Sequence, residues 1–90
     1  MPYQIINVAM ARSLQGDAAR DHPLFAWAVM EDPPEYPGAF LARLVTDAPT
    51  SYALLGQTLG EIHASLPPGL VRSERQPSDP PEVIEVWLPK

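Results

Sequence analysis

The sequence predicts an α+β domain in which an antiparallel sheet of about five to six strands, of unknown order, carries one short helix packed on one face. Residues 25–31, 39–46 and 82–88 are rich in aromatic and β-branched side chains and are separated by proline clusters, which is typical of strands. Residues 58–66 have the start signal, apolar spacing and stop signal of a helix. Since the chain has 90 residues, we expect a single domain over residues 1–90.

The helix prediction rests on its two ends. Thr58 and Glu61 have the spacing of a capping box, in which each side chain accepts a hydrogen bond from a backbone amide of the first turn. The proline pair at 67–68 prevents continuation. A helix of about two turns is unstable alone, so it must pack on the sheet. Its apolar face comprises Leu59, Ile62 and Leu66.

The N-terminal region is the most ambiguous part of the chain. Residues 3–10 favour a strand through Tyr3, Ile5 and Val8, although residues 9–15 followed by Gly16 would also suit the end of a helix. We interpret residues 3–10 as a strand. Residues 16–23 have no periodic apolar pattern and predict an exposed connection, either irregular or with one helical turn.

The remaining strands follow from composition and turn signals. Residues 25–31 and 39–46 flank the proline-rich turn at 32–38 and should form an antiparallel hairpin. Residues 52–55 and 70–75 are shorter runs that could each add a strand. The final run, at 82–88, lies between prolines and closes the sheet.

Both faces of the predicted sheet are largely apolar. A sheet with one solvated face should alternate cleanly between apolar and polar residues, and one short helix covers only part of one side. The N-terminal segment, a second copy of the chain or another partner must cover the rest, and we favour a homodimer. Arg43 and Glu85 each interrupt an apolar strand face, so they would form a cross-strand pair if their strands were neighbours.

Charge and composition argue against several classes of function. The formal net charge of -5 opposes a phosphate backbone, so we expect no direct binding of nucleic acid. The chain has no cysteine, which is compatible with the cytoplasmic location that we predict. The apolar run at 5–11 is too short to span a bilayer and follows no Lys or Arg, so we expect neither a signal peptide nor a membrane segment.

No set of residues in the sequence predicts catalysis, a metal site or a cofactor. Glu61, His63 and Ser65 are two apart on a helix and therefore do not face each other, so His63 is interpreted as a packing residue at the edge of the core. The chain has two histidines and lacks zinc-ligand spacing. It also lacks the glycine-rich loops that hold phosphates.

These observations predict a small interaction module without catalytic activity, forming a homodimer through a protein-binding surface. The alternative is a small-ligand-binding protein or enzyme with a cleft between the helix and the hairpin loop, lined by Trp27 or Trp87. The candidate interface or ligand surface comprises Trp27, Leu41, Arg43, Val45, Glu85 and Trp87.

A third hypothesis comes from a resemblance. In residues 25–66, a hairpin and a third strand lead through Gly56, Thr58 and Glu61 into the helix, and this Gly-x-Thr-x-x-Glu turn resembles that of the HicB-like antitoxin domain. The resemblance implies a dimeric partner of a small basic ribonuclease. The chain departs from that family where Pro67 ends the helix, and no functional residue is carried over.

Overall fold

The computed structural model describes residues 3–21, 24–74, 77 and 80–90 and shows an α+β domain. The elements are β1 (Gln4–Ile5), α1 (Val8–Asp21), β2 (Ala26–Glu31), β3 (Phe40–Val45), β4 (Pro49–Gly56), α2 (Leu59–Ser65), β5 (Leu70–Ser73) and β6 (Val83–Pro89). The strands form a six-stranded sheet in the order β1-β4-β3-β2-β6-β5. All described pairs are antiparallel except β1 with β4. The predicted fold class is confirmed.

The N-terminal prediction was wrong. Only Gln4–Ile5 is a strand, and the exposed connection predicted from residue 16 is helical up to Asp21, while residues 22–23 lie outside the described part. Asn7 starts α1, because its Oδ1 accepts a hydrogen bond from the Met10 amide at 2.8 Å. Helix-favouring alanines then recur along α1, and two of them, Ala11 and Ala18, are buried. Gly16 lies inside the helix and does not end it.

The hairpin prediction is confirmed. β2 and β3 pair from Ala26 opposite Val45 to Glu31 opposite Phe40. In the turn between them, the Asp32 carboxylate accepts a hydrogen bond from the Gly38 amide at 2.6 Å. Gly38 adopts a φ of 79°, a left-handed conformation that glycine adopts without steric cost. The shorter strands predicted after this hairpin correspond to β4 and β5, and the last corresponds to β6.

The capped helix is also confirmed. The Thr58 hydroxyl accepts a hydrogen bond from the Glu61 amide at 3.1 Å, and the Glu61 carboxylate accepts one from the Gln57 amide at 3.0 Å. The helix ends at Ser65, where the Leu66 amide donates to the Ile62 carbonyl. Both ends of α2 are therefore where local sequence signals predict them.

Both helices lie on the same face of the sheet, which we call the helix-bearing face. Trp27 on the central strand β2 is completely buried there, together with Ile62 of α2. The helix that the sequence analysis missed therefore supplies part of the cover that a single helix could not. The buried core on this face comprises Ile6, Ala11, Ala18, Phe25, Trp27, Val29, Ala42, Leu44, Leu54, Ile62 and Leu70.

The opposite face, which we call the helix-free face, has a smaller core. Its buried members are Met30, Leu41, Ala53 and Val83. Partly buried residues pack against them, including Tyr3 before β1 and Tyr36 from the hairpin turn. The centre of this face is thus covered by the chain itself. Apolar side chains remain exposed toward the sheet edges, at Leu55, Val71 and Leu88.

The close approach of β4 to α2 predicts the effect of adding one methyl group. A Cβ on Gly56 would lie 3.2 Å from the Glu61 Cβ and 3.2 Å from the Ile62 Cγ1. Ile62 is completely buried and has no room to retreat. We expect Gly56→Ala to lower the free energy of unfolding by about 1–3 kcal/mol, the usual range for overpacking. Urea denaturation followed by tryptophan fluorescence measures this change.

The matched control is Gly16→Ala, because a Cβ there meets nothing within 4 Å. Removing a glycine from a helix interior should raise the free energy of unfolding by about 0.5–1 kcal/mol. Opposite signs for the two substitutions are the expected result. If Gly56→Ala is as stable as the wild type, the described contact between β4 and α2 is wrong.

Candidate functional site

A polar cluster on the helix-bearing face is built around a buried carboxylate, toward which several hydrogen-bond donors point. Glu85 on β6 is 7% exposed. Its Oε1 contacts the His63 Nε2 at 2.8 Å and accepts a hydrogen bond from the Trp87 Nε1 at 3.0 Å. Its Oε2 lies 3.4 Å from the Arg72 Nη1. We call these four residues, His63, Arg72, Glu85 and Trp87, the Glu85 cluster.

Sheet register brings these side chains together. Trp87 lies opposite Trp27 of β2 on one side and opposite Arg72 of β5 on the other, so all three share the helix-bearing face. Glu85 lies opposite Val29 of β2, immediately before a register shift in the pairing of β2 with β6. His63 belongs to α2, which packs on the same face. The His63 and Trp87 rings meet edge to face, with centroids 5.4 Å apart.

The cluster determines the charge state of Glu85. Burial by itself raises the pKa of this carboxyl group. This effect is outweighed by the hydrogen bonds from His63 and Trp87, the charge of His63 and the contact with Arg72. The pKa of Glu85 therefore lies below its ordinary value of 4.5. Glu85 is therefore ionised at neutral pH. An ionised carboxylate only accepts hydrogen bonds, so the Nε2 of His63 carries the hydrogen.

This geometry joins three elements through one side chain. The Glu85 carboxylate connects β6 to α2 through His63 and to β5 through Arg72. The His63 side chain is 38% exposed. An adjacent cleft of about 350 Å³ is lined by Arg72, Ser73, Glu74, Ile84 and Glu85. The cluster can stabilise the fold and orient an imidazole.

Two of the predicted surface residues lie in the cores. Trp27 is completely buried on the helix-bearing face, and its Nε1 donates a hydrogen bond to the Gln15 Oε1 at 2.8 Å. Leu41 is completely buried on the helix-free face. Neither side chain offers surface to a partner, because each fills the space between the sheet and what covers it. The sequence pattern identified apolar strand residues without showing which of them are covered.

Arg43 and Val45 lie on the helix-free face and are half-buried. The Arg43 Nε donates to the Thr50 carbonyl at 2.5 Å, and its guanidinium lies 5.0 Å from the centre of the Tyr3 ring. Burial raises the pKa of Tyr3, as do nearby Glu35 and Glu82, although Arg43 opposes the shift.

The condition for a pair between Arg43 and Glu85 is not met. β2 lies between β3 and β6, and the two side chains are on opposite faces of the sheet. The predicted cleft between the helix and the hairpin loop stays a prediction. α2 packs on the helix-bearing face, whereas Tyr36 of the hairpin turn packs on the helix-free face. The six predicted surface residues therefore form no single surface.

Sequence reasoning missed Arg72 as a member of the cluster and treated His63 as a packing residue only. His63 and Glu85 are 22 positions apart, and no local pattern connects them. The available signal was the single charge at Glu85 within an apolar strand, since a buried charge needs partners. Strand order, which the sequence did not provide, was needed to identify those partners.

Comparisons with protein-family models, with curated proteins and with solved structures find no match to this chain. The resemblance to the HicB-like antitoxin domain therefore stays a prediction. Within the part of the chain that the structure describes, neither helix is long and apolar enough to cross a membrane. The same residues contain no group of three or more His, Asp or Glu side chains arranged to hold a metal ion.

The charge of Glu85 predicts a pH-dependent stability. Glu85→Gln keeps the shape of the side chain but removes the charge and turns an amide donor toward Arg72, so we expect it to lower the free energy of unfolding at pH 7 by about 1–3 kcal/mol. The folded-state pKa is below its ordinary value, so this stabilisation is complete above pH 4.5 and is lost as the pH falls through the folded-state pKa. Urea denaturation of both proteins across this pH range measures the difference.

Glu31→Gln is the matched control, because Glu31 is exposed at the end of β2 and makes the same change of charge. It should leave the free energy of unfolding nearly unchanged at every pH. A difference between wild type and Glu85→Gln that does not shrink in acid would contradict a stabilising role for the carboxylate charge.

Proposed function

We propose that the protein is an interaction module without catalytic activity, and that it forms a homodimer through the outer edge of β5. The observation that carries this proposal is the position of β5 at the end of the sheet. It pairs with β6 on one side, and no strand in the described residues pairs with its other side. An unpaired strand edge presents backbone donors and acceptors that a second chain can pair with.

The opposite edge of the sheet is less suited to such pairing. β4 begins with Pro49, and its outer side is partly occupied by β1, which pairs with it at Tyr52 and Ala53. Prolines and short edge strands are common means of blocking edge-to-edge association. β5 has no proline, and its pairing with β6 shows no register shift. The asymmetry favours β5 as the site of association.

The register of β5 identifies which backbone groups are available. The Lys90 amide donates to the Gly69 carbonyl, so Val71 and Ser73 also turn their backbone groups toward β6. Leu70 and Arg72 then turn theirs outward. In a symmetric antiparallel pair that joins Leu70 to Arg72 of the second copy, the outward-facing backbone groups of both residues form hydrogen bonds. A register that joins Arg72 to Arg72 of the second copy would instead place like charges opposite each other.

This register places the two Val71 residues directly opposite each other, in the type of pair whose side chains approach most closely. Val71 is 45% exposed, and its partner on β6, Leu88, is 38% exposed. Both lie on the helix-free face. Pairing of the two edges would therefore form a continuous apolar strip of four side chains, Val71 and Leu88 from each copy. These side chains are exposed to water in the monomer.

The Glu85 cluster supports this proposal from the other face. Arg72 contacts Glu85, which also contacts His63, so the free strand is connected to β6 and α2. A strand held in place loses less conformational freedom on pairing. We therefore assign the cluster a structural role. The net charge of -5 and the lack of cysteine support our further proposal that the protein is cytoplasmic and does not bind nucleic acid directly.

The test is self-association of the purified chain. A short edge gives a small interface, so we expect a concentration-dependent equilibrium between monomer and dimer in analytical ultracentrifugation. Val71→Lys should shift the protein to monomer at all concentrations, because two ammonium groups would face each other across the symmetry axis. The monomer itself should tolerate the change, since Val71 is largely exposed.

Leu24→Lys is the matched control, because Leu24 is 83% exposed, lies outside the strands and gains the same charge. It should associate as the wild type does. A wild-type chain that stays monomeric at its highest soluble concentration would overturn the proposed dimer. Association of Val71→Lys as strong as that of the wild type would exclude the β5 edge as its site.

A further inference from the structure

A second cleft, of about 370 Å³, lies between α1, the α2–β5 connection and the end of β6. We call it the Arg12–Lys90 cleft. Its volume is within the range of small-molecule sites. It is separate from the Glu85 cluster and from the helix-free face used in the proposed dimer, so it can be tested independently. Its lining residues are Arg12, Gln15, Gly16, Ala19, Phe25, Pro67, Pro68, Gly69, Pro89 and Lys90.

The walls of the cleft are held by hydrogen bonds between its own lining residues. The Gln15 Nε2 donates to the Pro68 carbonyl at 2.9 Å, while its Oε1 accepts from the buried Trp27 indole at 2.8 Å. On the other side, the Lys90 amide donates to the Gly69 carbonyl at 3.1 Å. These contacts fix α1 and the end of β6 relative to the connection, so the cleft is formed before a ligand arrives.

The surface of the cleft combines an apolar floor with a basic rim. Phe25 and Pro67 are buried beneath it. Arg12 and Lys90 are exposed, and within the described part of the chain no hydrogen bond or ion pair involves either charged group. They are two of only six Lys and Arg residues in a chain of net charge -5. No Asp or Glu is among the residues that line the cleft.

We propose that the Arg12–Lys90 cleft binds a small free carboxylate whose apolar body lies on Pro68 and Pro89. Two cations beside an apolar floor complement a molecule with one anionic end and one apolar end. A neutral apolar molecule would gain no charge-assisted contact with either cation. A small anion without an apolar body would leave the floor exposed to water. The complementarity therefore requires both parts in one ligand.

Phenylbutyrate is a suitable probe, with phenylbutyramide, acetate and inorganic phosphate for comparison. Titration followed by amide NMR of the isotope-labelled full chain should show saturable shifts at the lining residues for phenylbutyrate, with a dissociation constant in the millimolar range or below. Phenylbutyramide should bind at least about tenfold more weakly. Acetate and phosphate should give no saturation in the same range.

Substitutions at the rim test the two cations. Arg12→Gln and Lys90→Gln should each weaken phenylbutyrate binding by about fivefold, as expected for the loss of one exposed charge-assisted contact. Arg20→Gln is the matched control, because Arg20 is on the same helix, pairs with Asp17 and does not line the cleft. It should leave the dissociation constant unchanged and thereby exclude an effect of net charge alone.

A further pair of substitutions tests the place of binding. Ala19→Glu puts a carboxylate at the rim of the cleft and should abolish binding, whereas Ala9→Glu makes the same change at an exposed position of α1 away from the cleft. Circular dichroism verifies that each variant is folded. The proposal fails if phenylbutyrate gives no saturable shifts, or if phenylbutyramide or phosphate binds as tightly as phenylbutyrate. It also fails if Arg20→Gln weakens binding as much as Arg12→Gln, or if Ala9→Glu weakens it as much as Ala19→Glu.

Discussion

Burial of the Trp27 indole constrains the helix-bearing half of the domain. The side chain is completely buried on a central strand, and an indole N–H left without a partner there would cost about 1–3 kcal/mol. Gln15 of α1 accepts that hydrogen bond, and its amide group also donates to the connection after α2. One glutamine therefore connects α1 both to the central strand and to the connection after α2.

The buried charge of Glu85 imposes a second constraint of the same kind. A carboxylate taken out of water needs donors, and it obtains them from α2, from β5 and from its own strand. The edge strand β5 is connected to the rest of the domain by this contact as well as by its pairing with β6. The proposed dimer depends on the contacts of Glu85, which hold β5, whereas the Arg12–Lys90 cleft depends on the contacts of Gln15, which hold α1.

Local signals were sufficient where a structure depends on neighbouring residues. Thr58 and Glu61 predicted the start of α2, and the proline-rich turn predicted the hairpin. Local signals gave a wrong prediction at the N-terminus. The β propensity of Ile5 and Val8 favoured a strand there, but in the structure Asn7 caps a helix that begins at Val8. Burial of Ala11 and Ala18 against the sheet stabilises α1, and this tertiary contact has no local signature. The omission of α1 also made the apolar surface appear less covered than it is.

The fold class, the hairpin, the capped helix and the acidic character of the chain could be predicted from the sequence, because these depend on composition and on residues a few positions apart. The strand order, the face on which each helix lies and the partners of Glu85 required the three-dimensional structure. Strand order depends on pairings between distant segments, and a change of register by one residue moves a side chain to the other face. For this reason Trp27 and Leu41, predicted to form a surface, are core residues, while Arg12, Arg72 and Lys90 line the clefts.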